Sequence, residues 1–152
     1  MAAKPRLVFL LNTAQRRLQQ WITAQHANAP ASTASDAPTA PQGGVLFVLA
    51  KADGATMGQL AQALDLAPSA MSGLIQRMES LGWVARHACP EDARTQRVWL
   101  TPAGQAQLPA LRQAMTRINA RLTAGFSEAE LQTVARWLTH VQQLGAPDDQ
   151  ES

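Results

Sequence analysis

At 152 residues the chain is long enough to bury one sizeable core, and its 16% charged residues leave a net charge of only +2, too little to argue for a nucleic-acid partner by itself. A single cysteine, Cys89, excludes an internal disulfide framework, and with three scattered histidines (His26, His87, His140) it argues against a metal site. No apolar run reaches the length of a membrane span and no secretion signal opens the chain, so a cytoplasmic protein without a membrane partner is expected.

In chain order, Leu7, Leu11, Ala14, Leu18, Trp21 and Ile22 recur at three-four spacing, which predicts a helix with one apolar stripe over residues 1–26. That segment carries four basic residues and no acid. Residues 27–43, "ANAPASTASDAPTAPQG", hold six Ala and three Pro but no large apolar side chain, and are expected to form a linker. "VLFVLAKADGA" then reads as a short buried helix closed by an Asp-Gly turn.

Thr56 with Gln59 has the capping-box spacing and starts another helix, with Leu60, Ala61 and Leu64 on its inner face. Pro68 suits a first helical turn, because its missing N–H is no loss there. Met71, Leu74, Ile75, Met78 and Leu81 then repeat at helical spacing until Gly82. "WVARHA" and "QRVWLT" alternate as strands, with Val84 and Arg86 answering Val98 and Leu100. Thr101-Pro102 opens a long helix, and Ser127 with Glu130 caps a last one striped by Leu131, Val134, Leu138 and Val141. The acidic tail, 146–152, closes the chain.

These elements define a mainly α protein with a small β-hairpin wing. A winged helix-turn-helix spans 44–101, flanked by helices over 1–26 and 102–145 whose uncovered apolar stripes predict a homodimer. A major groove about 12 Å wide admits one helix. On the helix after Pro68, the residues facing away from the apolar stripe are Ser69, Ala70, Ser72, Gly73, Gln76 and Arg77. They are short at the start and polar or basic further on, a pattern that allows close approach and hydrogen bonding to bases or phosphates.

The stretch "LAPSAMSGLIQRMESLGWVARHACPEDARTQRVWLTPAG", residues 66–104, resembles the signature of the MarR (multiple antibiotic resistance regulator) family. The resemblance rests on the helix, the "WVAR" opening of the wing, the Asp-x-Arg at its tip and the closing "LTPAG". It implies a transcriptional regulator, a repressor, binding a pseudo-palindromic operator in double-stranded DNA as a homodimer. It also implies roles. Arg94 enters the minor groove; Asp92 holds Arg94 by a charge-assisted bond; Arg86 contacts phosphate or braces the wing; Ser69, Ser72, Gln76 and Arg77 face the major groove.

Departures from the family pattern stand at Gly73 and Ala93, where arginine is frequent, and at Ala67, a poor N-cap. A degenerate family member that docks proteins instead of DNA is the alternative reading. No nucleophile–base pair, ligand cluster or cofactor motif argues for an enzyme. The resemblance further implies a small aromatic or phenolic ligand, for which Trp21 would offer a wall and Arg16 or Arg17 a carboxylate clamp. Cys89 reads as an incidental thiol whose only basic neighbours in sequence are Arg86 and His87.

Overall fold

The computed structural model describes residues 5–27 and 37–144, with side chains of the first helix described as far as Gln25. The chain divides into two compact units, residues 1–108 and 109–152, the boundary falling inside a long helix. In chain order the elements are α1 (Leu7–Ala27), α2 (Ala40–Lys51), β1 (Ala55–Thr56), α3 (Met57–Leu64), α4 (Pro68–Ser80), β2 (Val84–Ala88), β3 (Gln96–Leu100), α5 (Pro102–Thr123) and α6 (Glu128–Gln143).

In the first unit the core is built from one face of each central element. Val45, Leu46 and Leu49 of α2, Leu60 of α3 and Met71, Leu74, Ile75 and Met78 of α4 are buried, together with Val84 of β2 and Val98 of β3. Each such side chain contributes about 1.5–3 kcal/mol by leaving water. The three-four spacing of the α4 residues places all four on the inner stripe, which leaves the opposite face of that helix to solvent.

The expected linker over 27–43 needs correction at its end. Residues 40–43 already belong to α2, because Thr39 caps the helix. Its hydroxyl accepts from the Gln42 N–H at 3.5 Å while the Gln42 side chain accepts from the Thr39 N–H at 2.8 Å. Pro41 sits in the first turn, and Gln42 and Gly43 are buried. The winged region therefore starts earlier than residue 44. Residues 28–36 of the expected linker and the acidic tail 146–152 lie outside the described residues.

The wing is a three-stranded antiparallel sheet in the order β1-β3-β2, not a bare hairpin. Val84 pairs with Leu100 and Arg86 with Val98, the expected register, while Ala55 and Thr56 pair with Val98 and Arg97. The added strand is clipped in place from both sides. The Asp53 carboxylate accepts from the Leu100 N–H at 2.8 Å, and the Arg97 guanidinium donates to the Gly54 carbonyl at 2.9 Å. Gly54 has φ +78° and lies under the Trp99 ring, so both its backbone and the space above it require glycine.

The flanking helices leave several apolar residues exposed. On α1, Val8 is 77% and Phe9 65% exposed, with Leu7 and Leu10 also open. In the second unit the far half of α5 runs through Met115 and Leu122 to a turn at Phe126, and all three are exposed. Ser127 caps α6 as expected, its hydroxyl accepting from the Glu130 N–H and its own N–H donating to the Glu130 carboxylate at 2.8 Å. The α6 helix contains no buried residue, although Leu131, Val134, Leu138 and Val141 recur on one stripe.

Candidate nucleic-acid interface

The helix-turn-helix is formed by α3 and α4. Thr56 caps α3, accepting from the Gln59 N–H at 3.1 Å while its own N–H donates to the Gln59 side chain at 2.9 Å. Asp65 ends α3 in the left-handed conformation at φ 51°, and the Leu66 N–H returns to the Ala61 carbonyl at 2.9 Å. The chain then turns through Ala67, which caps α4 with no side-chain hydrogen bond, into Pro68. The start of α4 is thus defined by proline and not by a polar cap.

On α4, Ser69, Ala70, Ser72, Gln76 and Arg77 are all exposed, on the face opposite the buried stripe. Gly73 lies among them, and a Cβ built there would meet only the Arg77 guanidinium, at 3.5 Å. The Arg77 side chain therefore runs back along the helix over Gly73, toward the short residues at its start.

The wing tip is organised by Asp92, which holds Arg94 by its backbone N–H and not by its guanidinium. One carboxylate oxygen accepts from the Arg94 backbone N–H at 3.0 Å and the other from the Thr95 hydroxyl at 3.1 Å. Asp92 and Arg94, both described, form no ion pair with each other. The reason is local. An aspartate two residues before a turn N–H closes that turn most cheaply with its own carboxylate, and here each oxygen takes one donor from within the turn. The Arg94 side chain is left exposed at the tip. Arg86 instead has the acidic partner, Glu79 at the end of α4, with Nη2 2.8 Å from Oε2.

Between α4 and the wing lies an open groove of about 520 Å³. The start of α3 lines it through Thr56, Met57 and Gly58, α4 through Pro68 and Ser72, and the wing through Arg86, Arg94, Thr95 and Gln96. The structure thus brings Ser72, Arg86 and Arg94 to one place, whereas Ser69, Ala70, Gln76 and Arg77 lie along the exposed helix face outside the groove and Asp92, exposed in the tip turn, does not line it. Sequence reasoning missed the start of α3, Pro68, Thr95 and Gln96 as groove residues. The Thr56 capping box located that helix end, but nothing in the sequence said it would face the wing.

Cys89 opens the tip. Its thiol is held below the ordinary cysteine range, first by the backbone N–H of Glu91 and next by the Arg97 guanidinium, with a further backbone N–H at Asp92. The basic neighbour that matters is therefore Arg97, across the hairpin, and not Arg86 or His87. On α1, Arg16 lines a shallow hollow with Asn12, Gln15 and Gln19, and neither Arg17 nor Trp21 contributes to it. Arg17 and Trp21, four apart, share another face of the helix. Of the two alternatives for the carboxylate clamp, Arg17 is the one that shares a face with the tryptophan. Among the described residues no three His, Cys, Asp or Glu side chains gather as a metal site, and no helix is long and apolar enough to cross a membrane.

A helix-turn-helix followed by a three-stranded wing, with arginines on the wing and short polar residues on the second helix, defines a winged-helix protein. A family model described as the MarR family matches residues 38–95, which span α2 through the wing tip. The chain is 29% identical to a MarR family transcription regulator of known crystal structure, with a TM-score of 0.72 over 96% of this chain and 95% of the other. It shares the fold of the PcaV transcriptional regulator from Streptomyces coelicolor, at 22% identity and a TM-score of 0.77 over 95% of this chain and 99% of that one. It is also 31% identical over 91 residues to a putative transcriptional regulatory protein for the hcr operon of Thauera aromatica. That match covers 60% of this chain and about half, 55%, of the relative's length. Over residues 38–95 the chain matches the MarR family, and its fold is similar to that of solved MarR family regulators.

Proposed function

We propose that the protein is a homodimeric transcriptional repressor that binds a pseudo-palindromic operator in double-stranded DNA. The observation that carries this reading is the groove in which Ser72 of α4 meets Arg86 and Arg94 of the wing, beside the exposed Ser69–Arg77 face. The α4 helix enters the major groove, where Ser69, Ser72, Gln76 and Arg77 reach base edges and phosphates and Ala70 permits close approach. Arg94 enters the adjoining minor groove, and Arg86 takes a phosphate between the two. Asp92 shapes the tip from which Arg94 projects.

Two copies follow from the apolar residues that one chain leaves in water, on α1 at Leu7, Val8, Phe9 and Leu10 and beyond residue 109 at Met115, Leu122, Phe126 and Val134. A two-fold pair would set its α4 helices about 34 Å apart, one turn of DNA. The neighbour from Streptomyces coelicolor was solved in complex with its natural ligand. On the family resemblance, the ligand that releases this protein from DNA is a small aromatic or phenolic carboxylate, with Trp21 and Arg17 as its contacts on α1 and Arg16 on the adjoining face. The function needs no enzyme activity and no cofactor, and places the protein in the cytoplasm.

Fluorescence anisotropy of a labelled duplex from the gene's own upstream region, against a shuffled duplex at two salt concentrations, tests the reading. Binding that prefers the native sequence and weakens steeply with salt is expected, because each neutralised phosphate releases counterions. Salt-indifferent association without sequence preference would favour a winged-helix module that docks proteins.

A further inference from the structure

We infer that Glu79, an acid at the rim of the DNA-facing surface, promotes sequence-specific DNA binding by holding Arg86, and through it the wing, in register with α4. This rests on the DNA-binding reading above. Glu79 occupies the last turn of α4, and that end of the helix is firmly tied. The Trp83 N–H returns to the Met78 carbonyl at 3.0 Å and the Gly82 N–H to the Glu79 carbonyl at 2.9 Å, with Gly82 at φ +74°. From this fixed base the Glu79 carboxylate reaches β2 and accepts from Nη2 of Arg86 at 2.8 Å. The pair is only partly open, the two side chains being 27% and 29% exposed, so it is less screened than a fully solvated pair.

Arg86 has a second place in the structure, since it also lines the groove with Ser72 and Arg94. A guanidinium carries five N–H donors in a rigid fork, so a bond through Nη2 orients it without exhausting it. Glu79 therefore does two things through Arg86. It fixes a long side chain whose disorder would otherwise have to be removed on binding, and it pins β2 to the helix that reads the major groove. Glu79 is a positioning residue, with no DNA contact of its own.

The inference is exposed because simple electrostatics predicts the opposite sign. Removing an acid from a surface that meets a polyanion should tighten binding. Loss of a positioning contact should loosen it, and selectively for the preferred sequence. The test uses a duplex that the wild-type protein selects from a random-sequence library, with a shuffled duplex as the non-specific probe. Glu79→Gln keeps shape and removes charge. It is expected to weaken binding to the selected duplex on the order of tenfold, within the usual range of coupling between contacting groups. Binding to the shuffled duplex should stay the same or tighten. In an Arg86→Gln background the same substitution should change selected-duplex binding by less than about twofold, because its route to DNA is gone.

A DNA-free arm reads the anchoring directly. Hydrogen exchange of the β2–β3 amides should quicken in Glu79→Gln, and no further when Arg86→Gln is added. Tighter or unchanged specific binding by Glu79→Gln, or an equal loss in both backgrounds, would overturn the inference even while wild type binds its duplex. A wild type that selects no sequence would instead overturn the DNA-binding reading, and the role of Glu79 in specificity with it. Unchanged exchange would separately overturn the anchoring.

Discussion

The junction between the wing and α5 makes a prediction in which two principles give opposite signs. Gly104 sits in the first turn of α5, and a Cβ placed there would fall 2.0 Å from the Trp83 carbonyl oxygen and 3.2 Å from a Leu100 methyl. The oxygen is backbone and is already engaged, accepting from the Thr101 N–H at 3.1 Å. The Thr101 hydroxyl donates to the Gly82 carbonyl and accepts from the Gly104 N–H at 3.0 Å. The segments around 82–83 and 101–104 are thus laced together across the gap that Gly104 leaves. Helix propensity alone says that Gly104→Ala should stabilise by about 1 kcal/mol. Sterics says that α5 must lift away, losing two hydrogen bonds at about 1 kcal/mol each and adding about 1–3 kcal/mol of overpacking.

The net expectation is a loss of about 2–4 kcal/mol, a large share of the 5–15 kcal/mol typical of a folded domain. For a chain of this size it corresponds to a fall in Tm of very roughly 4–16 °C. Urea titration followed by tryptophan fluorescence reads it directly, since Trp83 stands at the junction. Gly73→Ala is the matched control, the same exchange in α4 with only the Arg77 guanidinium nearby, at ordinary contact distance. It should raise stability by about 0.5–1 kcal/mol. If Gly104→Ala proves neutral or stabilising like its control, the close approach of α5 to Trp83 is refuted.

Other consequences are as direct. Thr56→Ala removes the hydroxyl that accepts from Gln59 and should cost about 0.5–2 kcal/mol in the same titration, with Thr56→Ser nearly silent. Arg94→Ala changes an exposed side chain, so the melting curve should hold while DNA binding weakens; unchanged affinity would remove Arg94 from the minor groove. Because the Glu91 backbone N–H and then the Arg97 guanidinium favour the Cys89 thiolate, alkylation of Cys89 should reach half its limiting rate at lower pH than that of a free thiol. Arg97→Gln should move that midpoint back up.

The helices and the strand register were legible because each repeats a strong period. The α4 residues Met71, Leu74, Ile75 and Met78 mark one stripe, and the pairing of Arg86 with Val98 follows from alternation over five-residue strands. Capping boxes at Thr56 and Ser127 were readable because donor and acceptor stand three residues apart. The same motif at Thr39 was hidden by the alanines and prolines around it, which suggested a linker by composition. The strand at Ala55–Thr56 is too short for any period, and its reasons lie 43 to 47 residues away, in Arg97 and Leu100. Of the candidate site, the exposed face of α4 could be read from the helical wheel, whereas the partners of the charged side chains could not. The sequence places Asp92 beside Arg94, but it takes the turn geometry to show that the carboxylate bonds to backbone and hydroxyl.

That last point bears on how an acid-containing surface could serve a polyanion. Bare carboxylates beside Arg86 and Arg94 would oppose DNA, yet Asp92 and Glu79 both stand there. Each is engaged by a donor of the protein itself, Asp92 by the Arg94 N–H and Thr95 hydroxyl and Glu79 by Arg86. Neither cancels the guanidinium at the tip. One carboxylate sets the backbone from which Arg94 projects, and the other steadies Arg86 through a single terminal nitrogen. One acid thereby orients an arginine side chain and the other fixes the backbone that carries one, and in the DNA-binding reading proposed above this placement, more than the chain's net charge of +2, is what the surface would offer to a nucleic acid.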